Sequence, residues 1–211
     1  MRGNADMREM NVAVMVSGGG TNLQALLDAA ADGRLQHARI ALVLSSQEDA
    51  YAIERSRRAG VPVIVVSKQT HPDDEERADA ILAALAGAET DLVVTAGYMS
   101  ILAKNVCSHY AGRMINIHPS LLPKYGGVGF YGLRVHEAVL AAGEKETGAT
   151  VHYVDDQGVD SGAIILQGRS PILEGDTPET LQKRILAEVE HPLIVEGTNL
   201  VIQKLRDKDF S

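Results

Sequence analysis

The 211-residue chain contains no tryptophan, six Tyr and two Phe. That is too little aromatic surface for a stacking platform along a nucleic-acid strand. A single cysteine, Cys107, excludes an internal disulfide framework and an all-cysteine metal site. No run approaches the ~18 apolar residues of a membrane span, and the N-terminal stretch lacks an apolar segment followed by a small-residue cleavage site. Positive charge is in the minority, with 20 Lys and Arg against 28 Asp and Glu and a formal net charge of −8. Generic binding to nucleic acid or an anionic membrane is therefore disfavoured, although one local pocket for a small anion remains compatible. The composition is 45% hydrophobic and 23% charged, enough apolar material for a sizeable core and far too much for disorder. A cytoplasmic protein with neither nucleic-acid nor membrane partners is the expectation.

Residues Met1 to Met10 are polar and methionine-rich and read as a flexible extension, leaving 11–211 as one domain. From Asn11 onward, short β-rich runs alternate with stretches of period near 3.6. The predicted strands are Val12 to Val16, Ile40 to Leu44, Val63 to Val66, Leu92 to Thr95 and Met114 to Ile117. Most are continuous Val/Ile/Leu runs, the pattern of strands covered on both faces. Predicted helices cover Leu23 to Ala31, Ala50 to Ala59 and Pro72 to Leu85, the last with Thr70 and acidic residues at its start. The alternation argues for an α/β, Rossmann-like three-layer fold with a mostly parallel sheet. The second half reads differently. A Gly-rich connection leads to a helix near Leu133 to Ala142, and two strands near Ala149 to Val154 and Ala163 to Gly168 suit an antiparallel pair. A final long helix starts at Thr177 and Pro178 and is expected to bend or break at Pro192.

The first strand feeds into Ser17-Gly18-Gly19-Gly20-Thr21-Asn22, and an amphipathic helix follows at once. Three glycines allow close backbone approach, so successive N–H groups can point at one anion while the helix start adds partial positive charge. Ser17, Thr21 and Asn22 add side-chain donors. A dinucleotide fingerprint does not fit, because Leu23 stands at the third glycine position and no acidic residue ends the second strand. The Lys-Ser/Thr pair of a P-loop is also missing. A phosphate or carboxylate cradle is the reading preferred over a ligand-free tight turn.

Along Met114-Ile115-Asn116-Ile117-His118-Pro119 alternation puts Asn116 and His118 on one face, at the carboxyl end of a strand, where open α/β sheets bind ligands. An amide and an imidazole side by side suit acyl transfer, by oxyanion stabilisation and proton shuttling. Spacing alone favours the plainer reading, a hydrogen-bonded Asn and a satisfied His. Asp155, Asp156 and Asp160 share one downstream turn. A carboxylate there would orient His118 and raise its pKa above the ordinary ~6.5. The acids lack Ca²⁺-loop spacing, His136-Glu137 fails as a zinc motif, and Cys107 reads as a buried thiol, so no metal is expected.

Taken together, SGGGTN after strand one, AGYMSIL from Ala96, INIHPSLLPKY from Ile115 and VHYVDDQGVDSGAIILQ from Val151 resemble the phosphoribosylglycinamide formyltransferase family of the formyltransferase superfamily. The resemblance runs from about Val12 to His191. It implies transfer of a formyl group from 10-formyltetrahydrofolate, as co-substrate, to the amine of glycinamide ribonucleotide in purine synthesis, by a monomer or homodimer. It makes Asn116, His118 and Asp160 catalytic. Ser17, Gly18, Gly19, Gly20, Thr21 and Asn22 become the substrate phosphate loop and Glu190 a ribonucleotide contact, with Glu188 as its competitor. Tyr98, Met99, Ser100, Ile101, Leu102, Val154, Asp155 and Asp156 become folate-pocket walls. Ser100 stands where many members carry Arg. Methionyl-tRNA formyltransferase would add a basic RNA-binding domain, and formyltetrahydrofolate deformylase an N-terminal regulatory domain. Neither addition is visible. A non-catalytic binder that keeps the phosphate loop is the rival from another class.

Overall fold

The computed structural model describes residues 8–208. The expected extension lies outside those residues from Met1 to Met7, and its end is already part of the fold. Strand β1 spans Met10–Val16, with Met10 itself buried.

The remaining elements follow the expected alternation: α1 (Thr21–Ala31), β2 (Ala38–Ser45), α2 (Tyr51–Arg58), β3 (Val63–Val65), α3 (Asp74–Gly87), β4 (Leu92–Thr95), α4 (Lys104–His109), β5 (Met114–His118), α5 (Leu133–Ala141), β6 (Glu146–Tyr153), β7 (Ile164–Pro171), α6 (Pro178–Ile185) and α7 (His191–Lys208). The strands form one seven-stranded sheet in the order β3-β2-β1-β4-β5-β6-β7. It is parallel through β5 and antiparallel across β5–β6 and β6–β7.

Strand β1 shows why the Val-rich runs are continuous. Val12, Val14 and Val16 pack into one core with residues of α1, α6 and α7, while Ala13 and Met15 pack into a second with residues of α3 and α4. Both faces are therefore dry, and period-2 polarity would leave polar groups buried. Because β1 lies between β2 and β4, the connections from its end and from the end of β4 run in opposite directions. That reversal opens a crevice at the carboxyl ends of the strands, where such sheets take ligands.

Three local expectations are corrected. Helix α3 is capped by Asp73, whose side chain accepts from the Glu75 and Glu76 N–H groups, while Thr70 closes a turn with Ser67. The antiparallel strands are longer than the β-branched runs suggested. Between β6 and β7 the register shifts by one residue: Val151 faces Leu166 and His152 faces Ile164, so Ile165 is an extra residue. The last long helix does not break at Pro192. It widens earlier, in a π-helical turn at Leu186–Glu190, closed by a bond from the His191 N–H to the Leu186 carbonyl. Pro192 follows that turn within α7.

Candidate active site

A cavity of about 700 Å³ runs along the carboxyl ends of β1, β4 and β5, within the usual range for small-molecule sites. Its lining brings together the glycine loop, the trio Asn116, His118 and Asp160, and the segments Tyr98 to Leu102 and Val154 to Asp156. Met99, Ile101 and Val128 are exposed apolar groups lining it. Of the expected loop residues, Gly18, Gly19, Gly20, Thr21 and Asn22 line the cavity and Ser17 does not. The Ser17 hydroxyl instead bonds Ser46 and accepts the Met99 N–H at 2.8 Å, fixing the end of β1 to the chain after β4.

Gly20, at φ 69°, is the left-handed residue immediately before α1. A side chain there would be strained and would also meet the Cβ of Ala52 at 2.6 Å. The Asn22 amide donates to Glu190 Oε2 at 2.8 Å, with both residues buried, so this donor is already engaged. Burial pushes the Glu190 carboxyl up to about 7, against the lowering effect of the Asn22 bond. Glu188 is not among the cavity's lining residues, which favours Glu190 as the inward-facing acid.

The central cluster is tied from several strands. Thr95 on β4 donates its hydroxyl to Asn116 Oδ1 at 2.7 Å, so the Asn116 amide nitrogen is directed the other way. That nitrogen lies 3.1 Å from His152 Nε2 and 3.5 Å from Asp160 Oδ1. His152 stands opposite Asn116 in the β5–β6 pairing. Its Nδ1 donates to the Tyr153 carbonyl at 2.9 Å, so in the neutral ring Nε2 is the acceptor for Asn116. His118 Nε2 is 2.7 Å from the Tyr125 carbonyl and its Nδ1 is 3.2 Å from Asp160 Oδ2. Both ring nitrogens thus face oxygens: because a carbonyl only accepts, the neutral ring carries its proton on Nε2, and a proton gained at Nδ1 would be shared with Asp160. Asp160 adopts φ 57°, a left-handed conformation that Asp tolerates better than most residues, and its Oδ2 also accepts the Gly127 N–H at 3.0 Å.

The expected rise in the His118 pKa is reversed. Burial lowers it below the ordinary imidazole value, and the nearby Asp160 charge and Tyr125 carbonyl recover only part of that loss. The Asp160 carboxyl is pushed up by burial, yet the neighbouring His152 and His118 rings and the Gly127 N–H together hold it below the usual carboxylate range. Asp155 and Asp156 do other work. Asp155 accepts from the Gln157 N–H and the Ser161 hydroxyl, and Asp156 from the Gln157 and Ser108 side chains.

Thr95 and His152 were not singled out by the sequence reasoning, and His136 entered it only as a failed zinc motif. The first two hold Asn116, and the alternation of β6 across from β5 is the signal that points to His152. His136, on α5, is fully buried, with neither ring nitrogen partnered. Burial, and secondarily the charge of His118, push its pKa down to about 4. Cys107 is a buried free thiol. Among the described residues no group of three or more His, Cys, Asp or Glu is placed to hold a metal, and no helix is long and apolar enough to cross a membrane.

A family model described as formyl transferase matches residues 10–198. The chain is 41% identical over 202 residues to the trifunctional purine biosynthetic protein adenosine-3 of Drosophila melanogaster, covering 92% of this chain but only 14% of that protein. It is 40% identical over 187 residues to phosphoribosylglycinamide formyltransferase of Haemophilus influenzae, covering 88% of this chain and 85% of the other. Among solved structures, glycinamide ribonucleotide transformylase 1 from Symbiobacterium toebii superposes with a TM-score of 0.86 at 41% identity, over 93% of this chain and 89% of that one. By sequence and by fold, the chain belongs to the phosphoribosylglycinamide formyltransferase family.

Proposed function

We propose that this protein transfers the formyl group of 10-formyltetrahydrofolate to the primary amine of glycinamide ribonucleotide, acting in purine biosynthesis in the cytoplasm. The observation that carries the reading is the convergence of Asn116, His118 and Asp160 in one cavity that is also lined by a glycine loop and by exposed apolar groups. The ribonucleotide phosphate would lie on Gly18 to Asn22, with Glu190 accepting from its sugar hydroxyls. The folate would lie against Tyr98 to Leu102 and Val154 to Asp156. This arrangement brings amine and formyl carbon together at Asn116, so binding energy from remote groups is used for orientation.

In the proposed reaction the neutral amine attacks the formyl carbon and negative charge gathers on its oxygen. The Asn116 amide, aimed by Thr95, donates to that oxygen. The proton lost by the amine passes to the Asp160–His118 pair, directly or through one water. The lowered His118 pKa keeps the ring neutral beforehand, so its positive charge develops beside the oxyanion only as the reaction proceeds. Collapse breaks the bond from the formyl carbon to the folate nitrogen, which takes a proton as it leaves. His152 is a positioning residue, because it touches Asn116 and Asp160.

The test is a spectrophotometric assay with 10-formyltetrahydrofolate, run with and without glycinamide ribonucleotide. Folate product that depends on the acceptor is expected. Product formed equally without it would make the protein a deformylase, and ribonucleotide binding with no product would leave a non-catalytic binder.

A further inference from the structure

The loop Gly18 to Asn22 contains no Lys or Arg, and the chain as a whole carries a formal charge of −8. The loop amides must be held in orientation, and a full positive charge nearby would add to the partial charge of the helix start. The structure assigns this to Arg55 on α2: we infer that Arg55 is a positioning residue for the substrate phosphate, acting from behind the loop. The inference rests on the phosphate-loop reading above and deepens it.

The geometry begins with the carbonyls. The Gly18 carbonyl accepts the N–H of Ala52, in the first turn of α2, at 3.0 Å. The Gly19 carbonyl accepts Arg55 Nε at 2.7 Å. In a trans peptide the N–H points opposite to the carbonyl. Binding these two carbonyls to α2 therefore turns the N–H groups of Gly19 and Gly20 away from α2, and both glycines line the cavity on the other side. Ala52 uses a donor that has no partner within its own helix, whereas Arg55 brings a full charge.

Arg55 is held in place from two further directions. Its Nη1 donates to Gln24 Oε1 on α1 at 3.0 Å, and its guanidinium lies 5.0 Å from the centroid of the Tyr51 ring. It thus clamps the loop, α1 and α2 together. A second, smaller cavity lies behind the loop, lined by Arg55, Gln24 and His191, and Thr21 belongs to both cavities. The positive charge therefore stands just across the loop from the proposed phosphate. After burial, Arg55 is the next largest influence lowering the His191 pKa, as expected of a field that reaches this side of α1.

The experiment compares two acceptors, glycinamide ribonucleotide and its dephosphorylated ribonucleoside, with wild type, Arg55→Met and Arg55→Lys. If Arg55 acts through the phosphate, Arg55→Met raises KM for the ribonucleotide about tenfold, the scale of one charge-assisted contact. The loss with the ribonucleoside is much smaller, and KM for the folate moves little. Arg55→Lys keeps the charge but not both hydrogen bonds of the guanidinium, so it recovers part of the loss. Equal losses with both acceptors, or none with either, overturn the inference. If Arg55→Met does not fold, Arg55→Lys carries the same comparison, and equal losses there overturn it as well. A wild-type protein that prefers neither acceptor overturns the phosphate-loop reading itself, an outcome distinct from failure of Arg55 alone.

Discussion

The glycine loop and the central cluster of the cavity are built from different materials. At the loop, main-chain amides form the lining, and the groups that hold them, Ala52 and Arg55, stand on the far side. At the centre the lining consists of side chains: Asn116, His118, His152 and Asp160, each with two or more partners. A backbone cradle loses little when any one side chain is exchanged, provided the carbonyls stay bound. A side-chain network loses function with each member, because a buried polar group without its partner is costly.

Substitutions can break that contrast, beginning at the centre. Asp160→Asn removes the proton acceptor paired with His118 and should lower kcat by about 10²–10⁴, the range of acid–base catalysis. Pre-steady-state and steady-state rates measure this, and near wild-type turnover would move the role to Asp155 or Asp156. Asn116→Ala should cost about 10²–10³ in kcat, the scale of losing one oxyanion donor. A variant that changes KM alone would assign Asn116 to binding.

At the loop the expected effect is smaller and of another kind. Gly20→Ala places a Cβ against Ala52 in a left-handed conformation, a strain of roughly 1–2 kcal/mol, and should raise the ribonucleotide KM about tenfold with kcat less affected. A kcat loss as large as that of Asn116→Ala would erase the distinction between loop and centre.

The smallest effect is at Glu190, where loop and helix meet. The folded carboxyl keeps its proton up to about 7, whereas its ordinary value is 4.5. The folded state therefore binds more protons between these values, and stability falls as pH rises through them. Glu190→Gln should raise the melting temperature at pH 8 by a few degrees, at roughly 2–4 °C per kcal/mol, and change it little near pH 5. A gap that does not depend on pH would show that the carboxyl is not buried with its proton.

Much of this was legible in residue order, and the exceptions have physical causes. The strand-loop-helix unit at Val12 to Ala31 was readable because continuous Val runs and consecutive glycines are local signals. So was the shared face of Asn116 and His118, which alternation within one strand decides. His152 was not, because its place beside Asn116 depends on how β6 registers against β5, and no local pattern sets that pairing. The direction of the His118 shift was also hidden. A nearby carboxylate can be guessed from a motif, but the desolvation that outweighs it depends on α5, β6 and the chain after Pro119 closing over the ring. The π-helical turn lay in an ordinary helical stretch, and Pro192, the conspicuous helix breaker, drew the expected bend to the wrong place.

The extra residue at Ile165 makes the Asn116 cluster a gauge of chain length in a neighbouring strand. A bulge on β7 alters the local twist beside His152, and His152 in turn fixes the amide of Asn116. Removing one residue from β7 at that point would leave the parallel half of the sheet untouched. It would nevertheless re-aim a ring that must meet its partner within hydrogen-bond distance. Insertions and deletions in this hairpin are thus constrained by the hydrogen bonds of Asn116, so β7 carries a length requirement even though none of its residues lines the cavity.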